Sequence, residues 1–150
     1  MKNLFDASCA EEIRQRLQHM KPDSARQWGK MTPAQVLAHC SAGVGMAAGQ
    51  IRPPRALIGR ILGPAVKRVA FRDDAPFRRN SPTVKELVMT GEPDFEAERV
   101  KLSGLIEHFC EAGPSGCTAH PHAFFGTLTP DEWAILMYKH LDHHLRQFGV

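Results

Sequence analysis

No stretch of this sequence is apolar for the roughly 18 residues a membrane-spanning helix needs, so a spanning segment is not expected. The N-terminal MKNLFDASCAEEI lacks the continuous apolar core of a signal peptide, which makes the cytoplasm the expected location. None of the four cysteines forms a CxxC pair, which leaves no thiol pair at zinc-finger or redox-motif spacing. A chain of 150 residues can bury a real core without disulfide staples, so Cys9, Cys40, Cys110 and Cys117 read as reduced thiols. Cys110 and Cys117 flank a Gly-Pro-Ser-Gly turn and could pair under oxidation. Strand-type alternation is also missing. The net charge of +3 is too small to name a partner.

The charge is unevenly placed. Arg52–Arg79 carries eight Arg or Lys against only Asp73 and Asp74, net +6, while the remainder is −3. This stretch has few aromatics, Phe71 and Phe77, and no helix-turn-helix or RNA-binding signature, so nucleic acid is not an expected partner. A solvated basic crossover and a phosphate- or carboxylate-binding surface both fit it.

What is present is helical periodicity. Residues 7–20 place Ala10, Ile13, Leu17 and Met20 on one face, a first helix. MTPAQVLAHC then sets Thr32 as N-cap, Pro33 at the first helical position and Gln35 at N3, a capping box that starts a second helix running to about Ala48. Gly43 and Gly45 weaken that helix. They suit either a fraying end or the close approach of another helix or a ligand. Pro53, Pro54, Pro64, Pro76 and Pro82 punctuate residues 50–82, which predicts a crossover with two short helices, one around Leu57–Leu62 and one over Ala65–Phe71. Residues 94–112 form the third long helix, with Phe95, Leu102, Leu105, Ile106 and Phe109 as its apolar stripe. Thr129, Pro130 and Glu132 repeat the capping chemistry and start the last helix, Pro130–Gln147. The similarity between the two caps ends there, so no internal repeat is inferred. Four long helices and one irregular crossover predict an all-α, up-down four-helix bundle forming one domain over residues 1–150.

The last helix carries the chemistry. Trp133, Leu136, Met137, His140, His144 and Phe148 share a face, since positions four apart align. His140 and His144 therefore look into the bundle, while Asp142 and His143 lie off that face. Asp142 then pairs with Arg146 on the surface, and His143 is a surface residue or orients a ligand. HxxxH offers a metal two imidazoles one turn apart, and a site needs a third ligand. His39 supplies one, because it sits in the stripe Val36, His39, Cys40, Gly43, Ala47 of the second helix. Three protein ligands with an open position is the arrangement of a catalytic metal. Taken singly, His39 also fits a satisfied core residue, and HxxxH on a last helix also fits a histidine-rich end on a solvated face. His120 and His122, in the loop before the last helix, could add a fourth ligand or an acid/base group, or simply pack against Phe124 and Phe125.

MTPAQVLAHC followed by HAFFGTLTPDEWAILMYKHLDHHLRQFG resembles the DinB/YfiT-like superfamily of metalloenzymes. The C-terminal match is about 28 residues long and specific; the middle of the chain agrees only in layout. The resemblance implies a four-helix bundle with a divalent metal, zinc or nickel, on His39, His140 and His144. Characterised relatives act with low-molecular-weight thiols, which implies a transferase or hydrolase with a small-molecule substrate. No thiol-binding signature is identifiable here. The competing readings are a metal- or ligand-binding bundle without turnover, such as a stress-response accessory, and a plain structural bundle or homodimer.

Overall fold

Four side-chain caps decide where helices begin. In the computed structural model, which describes residues 1–81 and 83–150, five α-helices follow one another: α1 (Ala7–His19), α2 (Pro33–Ala47), α3 (Leu57–Ala70), α4 (Phe95–Ala112) and α5 (Pro130–Gln147). Two 3-10 turns, Lys85–Leu87 and Gly113–Gly116, lie between them. No strand occurs among the described residues, so the fold is all-α. Asp6 starts α1 by accepting from the Ser8 N–H, and Asp94 starts α4 by accepting from the Ala97 N–H. Thr32 and Thr129 form full capping boxes with Gln35 and Glu132, each side chain satisfying an otherwise orphaned backbone N–H.

α1 and α2 each pack against both α4 and α5. Their apolar faces close around Ile13, Leu17, Leu37, Val44, Leu102, Ile106, Trp133, Met137 and Leu141. Leu105, expected in the α4 stripe, lies at the margin of this core. Cys9 and Cys40 are buried, Cys110 and Cys117 half-buried, and all four are free thiols.

The crossover differs from its sequence reading. One helix, α3, runs through Pro64 where two short ones were expected. Pro64 removes one N–H bond and crowds the residue before it, but that residue is Gly63, whose missing Cβ relieves the crowding. Pro82 lies outside the described residues. α3 stands apart from the core helices and rests on the 123–125 loop through Gly59 and Gly63. A Cβ on Gly59 would meet the Phe124 carbonyl oxygen at 2.7 Å. The Ala56 N–H donates to the Ala123 carbonyl (2.9 Å). Lys139 of α5 reaches across to donate to the carbonyls of Ala70 (2.7 Å) and Asp73 (2.9 Å), tying down the end of the crossover.

Candidate metal centre

Helical register brings one histidine of α2 and two of α5 to the same place. His39, His140 and His144 each present a ring nitrogen, all within 4.8 Å of one another, in a group that could hold a metal ion. Gly43, one turn beyond His39, makes room for the His140 ring: a Cβ there would stand 2.8 Å from the His140 Cε1. Of the two readings open for this glycine, the structure shows the close approach of a helix.

The protonation of the rings follows from their partners. The His39 Nδ1 lies 2.7 Å from the Leu87 carbonyl oxygen. A carbonyl only accepts, so Nδ1 carries the hydrogen and Nε2 keeps a free lone pair. Gln147 donates its amide Nε2 to the Trp28 carbonyl (2.8 Å), which turns its Oε1 toward the His144 Nδ1 (2.9 Å). His144 Nδ1 therefore donates, and its Nε2 is also bare. The His140 Nε2 lies 2.9 Å from the His39 Nε2, and the His140 Nδ1 is buried with no partner among the described residues. Fixing the remote nitrogen of an imidazole through a carbonyl or amide oxygen is how proteins orient metal-binding histidines.

Burial keeps these rings neutral. It lowers the pKa of His39 and takes His144 down to about 3, with the nearby His39 adding to the effect on His144. Burial first, then the neighbouring His144 and His39, put His140 well below the ordinary histidine value. Neutral imidazole is the form that binds a metal. The donor set of three neutral imidazoles fits a divalent transition-metal ion.

Residues 4–149 match the family described as "Protein of unknown function (DUF1569)". The chain belongs to the DUF1569 family. Comparison with the curated proteins and with the solved structures gives no match. The match spans all five helices, so the triad lies wholly within the DUF1569 domain.

The other histidines of this DUF1569 protein are placed differently. His143, expected at the surface or orienting a ligand, is buried between Trp28 (ring centroids 5.6 Å apart) and Phe77 (6.4 Å), and its ring stands 5.1 Å from that of His144. Asp142 is likewise not a surface residue. It is buried and accepts from Arg16 (2.8 Å) as well as from Arg146 (2.8 Å). Both departures arise because the 28–29 segment, the 76–79 segment and α1 cover the flank of α5 that helical periodicity leaves open. His122 packs against Trp133 and Phe125, and its Nδ1 accepts from the Phe124 and Phe125 N–H groups at 3.0 and 3.1 Å. Burial and the Arg55 charge push it down to about 4. His120 points to the Pro53 carbonyl (3.1 Å). Neither belongs to the three-nitrogen group.

A cavity of about 400 Å³ is lined by Trp28, Phe77, Arg79, His143 and Arg146 among others; none of the three triad histidines lines it, and His143, whose ring stands 5.1 Å from that of His144, is the residue between the two. The Arg79 guanidinium lies over the Trp28 ring, 4.2 Å from its centroid. Of these residues and the supporting oxygens, sequence reasoning missed Trp28, Leu87 and Gln147. Gln147 was discoverable in principle, being three residues after His144 on the same helix. Leu87 contributes only a backbone carbonyl and leaves no trace in side-chain patterning.

Proposed function

We propose that His39, His140 and His144 hold a divalent metal ion, zinc or nickel, and that the protein is a metal-dependent transferase or hydrolase acting on a small molecule. One observation carries this reading. At least two buried Nε2 lone pairs, their tautomers fixed by Leu87 and Gln147, converge on a point shared with His140. The His140 Nε2 can donate its one N–H to the His39 lone pair, which leaves the His144 Nε2 without that donor, whereas a cation at the shared point satisfies all three nitrogens at once. The four core helices and the positions of the triad support the DinB/YfiT-like assignment, and with it a low-molecular-weight thiol as co-substrate.

A bound ion would lower the pKa of a coordinated water or thiol and supply a nucleophile at neutral pH. The chain's own groups do the rest. Leu87 and Gln147 hold the ligand rings in orientation. Trp28 and Phe77 flank the cavity and shed water from an apolar substrate portion. Arg79 and Arg146 offer positive charge to a substrate carboxylate. His143 alone among the histidines lines the cavity, where its ring nitrogen can hold or pass a proton.

One observation favours a binding module without turnover. The carboxylate nearest in sequence to the ligands, Asp142, is committed to Arg16 and Arg146 and is not free as a base. The test is metal analysis of protein purified without chelator, followed by assay for conjugation or hydrolysis of thiol-reactive substrates. About one ion per chain, lost in His140→Ala, is expected. Turnover lost with the ion distinguishes enzyme from binding module, and metal-free protein that takes up no zinc or nickel would overturn both.

A further inference from the structure

The largest apolar exposure among the described residues is concentrated on one helix, α3, which α5 touches only through the side chains of Lys67–Glu132 and Lys139. Leu57, Ile58, Ile61, Leu62, Val66 and Val69 of α3 are between 40% and 79% exposed. At about 100° per residue these six positions cover a continuous arc of roughly 180° around the helix. The rotation of α3 is set by its opposite side. Gly59 and Gly63 are its only buried residues, and they lie so close to the Phe124 backbone that no side chain fits there. The apolar arc thus faces outward because the seat admits only glycine.

The remaining sector is cationic. Arg60 and Lys67 lie in that sector, Arg68 sits just inside one edge of the arc beside Leu57, and no Asp or Glu occurs from Ile51 to Arg72. Lys67 pairs with Glu132 (2.8 Å), whereas Arg60 and Arg68 are exposed and have no acidic partner among the described residues.

We infer that α3 docks the protein on the surface of an anionic lipid bilayer, with its apolar arc in the boundary between headgroups and acyl chains and its arginines against lipid phosphates. A wide apolar arc flanked by Lys and Arg is the pattern of a helix lying in a membrane interface. No helix among the described residues is long and apolar enough to cross a membrane, so the contact is with one face of the bilayer. A second copy of the chain fits less well. Pairing two α3 helices through the same arc brings Arg60 and Arg68 of each copy together with no acid on either helix to meet them. A groove in another protein takes a narrow stripe of i, i+3, i+4 and i+7 anchors, and half a helix circumference is wider than that. The inference is independent of the metal reading.

The experiment is co-sedimentation of the full chain with phosphatidylcholine vesicles, with and without phosphatidylglycerol, at low and high salt, alongside light scattering of the protein alone. Two variants accompany it, Ile58→Glu/Ile61→Glu and Arg60→Gln/Arg68→Gln. All four positions are exposed, so the fold should persist, and circular dichroism checks this. The wild type is expected to bind the anionic vesicles, to be released by salt, and to bind neutral vesicles at least about ten-fold less. The apolar double variant should lose binding and the arginine variant should lose its preference for anionic lipid. Equal binding to neutral vesicles, no vesicle binding, or an unaffected apolar variant overturns the inference. So does a wild-type dimer that the apolar variant converts to monomer, which would assign the arc to a second copy.

Discussion

The Nε2 atoms of His39 and His140, contributed by helices α2 and α5 and 101 residues apart in the chain, stand 2.9 Å from each other. Both rings are buried neutral, and His39 has spent its only N–H on the Leu87 carbonyl. This pair, with the His144 Nε2 beside it, is where a cation is best received.

Removing a ligand should therefore differ sharply from removing a neighbour. His140→Ala is expected to abolish stoichiometric metal binding, while His143→Ala keeps about one ion per chain, because only His140 belongs to the three-nitrogen group. Metal at about a hundred times its Kd stabilises the native state by roughly 2.7 kcal/mol, or roughly 5–10 °C in Tm for a chain of this size. The checks are metal content by mass spectrometry and melting curves with and without chelator. Equal metal content in the two variants would contradict the site.

Gly43→Ala isolates the close approach of the two helices. The new methyl meets the His140 ring at 2.8 Å. Helix propensity gains about 1 kcal/mol and overpacking costs about 1–3 kcal/mol, so stability falls only modestly or not at all. The His140 ring must move, and metal affinity should fall roughly ten-fold or more, a loss typical of disturbed ligand positioning. Competition titration against a chromophoric chelator measures it; unchanged affinity would show that the glycine is not needed for the site.

Gln147→Leu keeps the bulk but deletes the acceptor for the His144 Nδ1–H. Metal affinity should drop about 10–100-fold. Gln147→Glu, which keeps an oxygen facing His144, should recover part of that affinity. Identical affinities in the leucine and glutamate variants would show that orientation of His144 does not depend on this bond.

Thr129→Ala removes the N-cap of α5 and should cost about 1 kcal/mol, roughly 2–4 °C in Tm. His140 lies about three turns further along, so metal stoichiometry should not change. A variant that melts normally but loses metal would reverse the assignment of this cap to stability alone.

The metal-free protein should lose stability as pH falls. Burial lowers the pKa of His39 and His143, takes His122 to about 4 and takes His144 to about 3. Below about pH 6.5 the unfolded chain takes up protons that the native state refuses. The stabilisation is therefore complete above about 6.5 and is lost progressively as pH falls toward 3. Urea unfolding of chelated protein across this range is the measurement. A flat profile between about pH 7 and 5 would mean that these rings are more solvated than their burial implies.

Much of the helical frame was legible in the sequence, because caps and periodicity act within about four residues. The two Thr-Pro boxes place the starts of α2 and α5, and α5 runs over Pro130–Gln147. The same periodicity selects His39, His140 and His144 as inward-facing. The rest depends on segments distant in the chain. The Leu87 carbonyl reaches His39 across 48 positions, and the Trp28 carbonyl reaches Gln147 across 119. Trp28, Phe77 and Arg16 bury the His143 and Asp142 that a helical wheel leaves in water. Local pattern also predicted a break in α3 at Pro64 and could not tell which way its apolar arc would turn. The turn was decided by the Phe124 backbone, which leaves space on that side for glycine alone. The sequence by itself determined where the long helices start and which histidines share a face, since those are short-range properties of the chain. Tertiary packing decided which nitrogen of His39 and His144 is free and which flank of α5 is covered, since both depend on groups that approach only once the chain has folded.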